Sequence, residues 1–154
     1  MDSKNKLDGT ATSGVIKAVF FSIVIIVSMF ATYGFAVTFT PDFAPDFFGA
    51  YRSVISGILM VFMLDGAALA WQYLRLNEPK SKKQIEIAEE MSQVTIGAAI
   101  IITVAYLLLT NYGLVTDAVI IAYAGYIGMG VVIAVFGYSF YRVWSFFDAD
   151  PRAT

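Results

Sequence analysis

Four apolar stretches, at about 15–39, 51–74, 88–110 and 118–144, govern what this chain can fold into. Each is long enough to cross a hydrocarbon layer of ~30 Å at the ~1.5 Å rise of an α-helix. Backbone amides have no partner in lipid except one another, so such stretches must be helical. The expected fold is therefore all-α: an integral membrane four-helix bundle with both termini cytoplasmic and short outer turns. A polar tail (1–14), one four-span domain (15–147) and a second tail (148–154) make up the expected organisation. An alternative for the first stretch is a cleaved signal peptide, with Lys4, Lys6 and Lys17 ahead of an apolar core and Gly34-Phe35-Ala36 as its cleavage site. The stretch runs past signal-peptide length, which favours a retained span.

Composition narrows the chemistry. Of 154 residues 58% are hydrophobic and 14% charged, and Cys and His are both absent. Disulfides, thiol chemistry, histidine-ligated haem and most zinc sites are excluded on those grounds, and no metal site or cofactor is expected. A net charge of −2 gives no field for nucleic acid. No glycine-rich phosphate loop follows a strand, and no nucleophile stands beside a recognisable base, so no enzyme activity is expected.

The charges are distributed unevenly. Lys4, Lys6, Lys17, Arg75, Lys80, Lys82, Lys83, Arg142 and Arg152 fall on one side of a four-span topology, and Arg52 alone on the other. The positive-inside rule then places both termini and the connection after the second span in the cytoplasm, most simply at the cell membrane. Local signals mark the span ends. The repeated Pro-Asp-Phe of 41–47 reads as a turn with Asp46 as N-cap, Ser81 with Gln84 fits a capping box, and Asp117 or Thr116 caps the fourth span. Asn111 and Gly113 should end the third. Lys82, Lys83, Glu86, Glu89 and Glu90 make the start of the third helix a solvated face.

One carboxylate breaks the apolar pattern. Asp65 sits in Met60–Trp71, about 20 Å along the helix from Arg52 and about 15 Å from Arg75. An ionisable group at that depth costs ~3 kcal/mol or more unless it finds a partner, a proton or a cavity. Its helical stripe includes Ile58, Val61, Ala68 and Gln72. An intramembrane polar site is therefore expected from Asp65, Gln72, Ser22, Thr95, Tyr138 and Arg142. The hydroxyls Ser28 and Thr32 form a separate stripe that could line a polar path or join helices. Small residues at four-residue spacing predict close helix packing at Gly57, at Gly66 and Ala70, and along the fourth span at Gly125, Gly128, Gly130 and Ala134. Its end, 136–147, reads as an aromatic interface belt around Arg142.

Two functional classes follow. The first is a non-catalytic subunit that assembles in the lipid bilayer, as a homo-oligomer or within a larger membrane complex. The second is an oligomeric proton or cation channel centred on Asp65. A holin-like permeabilising protein is a weaker third, since a strongly basic cytoplasmic tail is missing. A proton relay usually needs a chain of titratable groups, and only one carboxylate lies in mid-span.

Overall fold

A computed structural model describes residues 2–77, 81–111 and 115–152, with side chains from Thr12 onward. Its elements are α1 (Asp2–Phe39), a 3₁₀ turn (Asp46–Tyr51), α2 (Arg52–Val61), a π turn (Phe62–Gly66), α3 (Ala67–Asn77), α4 (Lys82–Thr110) and α5 (Ala118–Asp148). No strand occurs among the described residues. Because α2, the π turn and α3 run on continuously, the described residues hold four helices long and apolar enough to span a membrane: Thr12–Phe39, Asp46–Asn77, Lys82–Thr110 and Ala118–Asp148. They form a bundle in which α1 packs on α2, α4 and α5, and α4 packs on α3 and α5. Large apolar side chains such as Phe20, Phe30, Phe62 and Ile127 point outward, an arrangement suited to lipid and costly in water.

Helix α1 reaches back to Asp2, through the stretch expected to be a polar tail. Nothing between residues 2 and 14 breaks a helix already nucleated by the apolar span: proline is absent, and each added residue only propagates existing turns.

The two ends of the bundle are built differently. At the end holding the 40–51 connection, Arg52 is the organiser. Its Nε donates to Ala44 O at 2.6 Å, one terminal nitrogen donates to Asp42 O at 2.9 Å, and the other pairs with Asp46 at 3.0 Å. Ser56 Oγ accepts from the backbone of Phe43 and Ala44 at 3.1 and 3.0 Å. Asp46 is thus not the N-cap expected of it. Pro45 and Tyr51 precede the 3₁₀ turn and α2, and neither caps through a side chain. The arginine six residues on captures the carboxylate instead. Between them Gly49 takes φ 54°, a backbone setting that other residues seldom adopt.

At the opposite end the capping box at Ser81 and Gln84 is present. It also ties helices together: Ser81 Oγ donates to Ala149 O at 3.0 Å, and Gln84 Nε2 donates to Phe146 O at 3.2 Å. Replacing Ser81 by alanine should therefore lower stability by about 1–2 kcal/mol, more than capping alone costs in a peptide; chemical unfolding in detergent would measure it. Asp117 caps α5 by accepting from Val119 and Ile120. Asn111 follows α4 as its C-cap, while Gly113 lies outside the described residues.

Buried side chains gather in two apolar clusters. One, near the 40–51 end, holds Phe35, Ala36, Met60, Leu64, Ala98, Ala99, Ile102 and Val132. The other, near the terminal end, holds Trp71, Ile87, Ala88, Met91 and Phe146, with Trp71 and Phe146 edge to face at 6.1 Å. Phe146 is thus core, although it belongs to the aromatic run expected at the interface; Phe136, Phe140, Tyr141, Trp144 and Phe147 do face outward.

On α5 the buried positions Gly125, Val132, Ser139 and Phe146 recur every seven residues, with Gly128 between the first two, the period of helices that pack at a shallow angle. A Cβ on Gly125 would overlap the carbonyl oxygen of Phe39, and one on Gly128 would meet the Phe35 ring. At Gly57 a Cβ would lie 2.8 Å from the Tyr33 ring. These three glycines bring helices into contact. Gly130 and Ala134 lie on the exposed side of α5, and Gly66 and Ala70 border a groove; their small side chains are not used inside this fold.

Candidate functional site: a buried polar layer

Between the two apolar clusters lies a layer of polar side chains. Asp65, fully buried, is placed there by the π turn. A π turn holds one more residue than an α turn, which rotates the helix on either side by about 100° relative to the other. Hence the residues sharing Asp65's face before the turn are Gly57 and Met60, both buried, while Ile58 is exposed and Val61 only half-buried. Beyond the turn the ordinary period resumes, with Ala68 buried and Gln72 half-buried. The stripe inferred from an unbroken α-helix holds on one side of Asp65 only.

The partner of Asp65 is on α1. Ser28 Oγ donates to Asp65 Oδ1 at 2.5 Å. Thr32, one turn along and fully buried, also faces the carboxylate, although Thr32 Oγ1 and Asp65 Oδ2 make no hydrogen bond of good geometry. The hydroxyl stripe and the carboxylate, separate features in the sequence, are one site in the structure.

The remaining expected residues go elsewhere. Ser92 Oγ donates to Gln72 Oε1 at 2.9 Å, joining α4 to α3. Thr95 is buried and donates to the carbonyls of Met91 and Ser92 at 2.8 and 3.2 Å, on its own helix. Ser22 donates to Ala18 O on its own helix and is exposed. Tyr138 and Arg142 meet at Glu90: the tyrosine hydroxyl donates to Oε1 at 3.1 Å, and the guanidinium donates to Oε2 at 2.5 Å. The Arg142 guanidinium also lies 5.9 Å from the Tyr138 ring centre. The six residues thus supply three separate interhelical ties rather than one site, and Ser22 and Thr95 join none of them. Glu90, read from the sequence as part of a solvated face, is the acceptor for the α4–α5 tie. It is the last charge before the apolar part of α4, and Arg142 is the single basic residue within α5; that pairing of depths was the available signal.

Two buried polar atoms on α5 have no partner: Arg142 Nε, whose guanidinium is already held by Glu90, and Ser139 Oγ. Ser139 is 5% exposed. Ser22, Thr40, Ser56, Thr95, Thr103 and Thr110 all return to the carbonyl one turn back. Ser139 lines a groove of about 340 Å³ between α3 and α5, together with Gly66, Ala67, Ala70, Phe136 and Phe140.

No protein-family model, curated protein or solved structure matches this chain. No cluster of three or more candidate metal-ligating side chains occurs among the described residues.

Proposed function

We propose that this chain is a non-catalytic multi-pass membrane subunit that assembles with a transmembrane helix of a partner protein, seated in the α3–α5 groove. The unpartnered Ser139 hydroxyl carries this reading. A buried hydroxyl without a partner costs about 1–3 kcal/mol, and rotation of the Ser139 hydroxyl toward the groove its residue lines would let an incoming helix bearing a polar side chain remove that cost. Gly66 and Ala70 allow a second backbone to approach closely. The positive-inside rule supports cytoplasmic termini in a cell membrane.

Conduction is less well supported. A proton or cation moving past Asp65 within one chain would have to cross both apolar clusters, and Ser28 and Thr32 engage the carboxylate as interhelical packing partners. The three polar ties act as cross-links between helices, which suits a rigid assembling subunit.

The test is extraction of tagged protein from its native membrane in lipid particles at low expression, followed by mass and composition analysis. Wild-type chain should carry a defined partner. Ala70→Phe, which fills the groove from an exposed position, should release it, and Ser139→Ala should weaken it, with unchanged melting of the subunit itself. A wild-type particle holding this chain alone, or partner retention by Ala70→Phe, would sink the proposal. A second copy as partner would make the groove a self-association seam.

A further inference from the structure

We propose that a second groove, at the terminal end between α1, α3 and α4, is a binding site for an anionic phospholipid, with Lys17 and Arg75 holding its phosphate. This rests on the reading that the helices span a bilayer. The groove measures about 680 Å³, within the range of about 300–1,000 Å³ typical of small-molecule sites. Its two ends differ in chemistry. Lys17 and Arg75 stand at the rim, both exposed. Phe21 and Leu69 form apolar wall at the deeper end, and Leu76 and Ile85 add apolar surface nearer the rim.

Helical rise places Leu69 and Ser22 about 12 Å deeper than Asn77 and Gly14, so the groove descends from headgroup depth into hydrocarbon. That gradient matches a phosphate attached to an acyl chain, and a free phosphate would leave the apolar wall unused. Gln72 also lines the groove, and its Oε1 accepts from Ser92, which holds the amide on the wall. Glu89 is the single acidic side chain on the wall, and two cations outweigh it. Basic pockets between helices on the cytoplasmic side are suited to anionic headgroups.

The full chain is placed in nanodiscs of mixed phosphatidylcholine and phosphatidylglycerol, and the lipid retained on it is read by native mass spectrometry. Wild type should retain phosphatidylglycerol preferentially. The double variant Lys17→Gln, Arg75→Gln should lose that preference by roughly tenfold or more, and Glu89→Gln should increase it. Lys83→Gln, an exposed cation at the same end but outside the groove, should leave it unchanged. Equal retention by wild type and the double variant, or an equal loss in Lys83→Gln, would overturn the proposal. A chain that fails to enter the discs overturns the membrane reading itself.

Discussion

Replacing Gly125 by leucine should cost about 3 kcal/mol or more and split the α1–α5 contact. The obstacle is a backbone atom. A Cβ at this position overlaps the Phe39 carbonyl oxygen, which cannot swing aside as a side chain can, so even Gly125→Ala must push the two helices apart. Within lipid, helices associate through close packing and interhelical hydrogen bonds rather than release of water, so a lost approach is not recovered by hydrophobic burial. Gly130→Ala is the matched control. A Cβ there meets nothing within 4 Å, and alanine in place of an interior glycine should stabilise α5 by up to about 1 kcal/mol. Stepwise unfolding from mild into denaturing detergent, followed by circular dichroism, would measure both. Equal behaviour of the two variants would mean that α1 and α5 do not approach at Gly125.

The difference between those two glycines marks where the sequence stops being informative. Small residues show that a helix could approach a neighbour, and Gly125 and Gly130 both lie in such a pattern. Which face turns inward is set by the seven-residue recurrence of Gly125, Val132, Ser139 and Phe146, and glycine density alone obscures that period because α5 is apolar all round. The spans themselves were legible for a simple reason: hydropathy over some twenty residues is a strong signal, and the capping residues Ser81 and Asp117 are used as expected.

The candidate site was legible by residue and not by partner. Asp65 stood out as a carboxylate inside an apolar run. Its π turn leaves no trace in such a run, because inserting one residue among Phe62, Met63, Leu64 and Gly66 changes no local hydropathy, yet it re-aims the side chain by about 100°. Depth counting could have found Ser28. Ser28 lies 12 residues before Thr40 and Asp65 lies 14 after Tyr51, giving each about 20 Å from the shared turn. Ser22, the α1 hydroxyl expected to join Asp65, bonds its own helix instead.

Asp65→Ala should destabilise the bundle by about 2–4 kcal/mol, through a cavity at a fully buried position and the loss of the acceptor for Ser28. Asp65→Asn should cost no more than about 1 kcal/mol, because the amide oxygen can still accept from Ser28 and the volume is unchanged. A double-mutant cycle with Ser28→Ala isolates the contact. Interhelical hydrogen bonds in membranes couple by about 0.6 kcal/mol on average and about 1.7 at most, and a 2.5 Å bond to a buried carboxyl belongs toward the upper end. A coupling near zero would mean that Ser28 and Asp65 do not act together. The same variants separate structure from conduction. If Asp65 holds helices, Asp65→Asn keeps both the fold and the partner. If it carries a proton or cation, Asp65→Asn abolishes flux in reconstituted vesicles that wild type supports, with no change in stability. Because an amide preserves the hydrogen bond and removes the ability to ionise, that one substitution decides between the two.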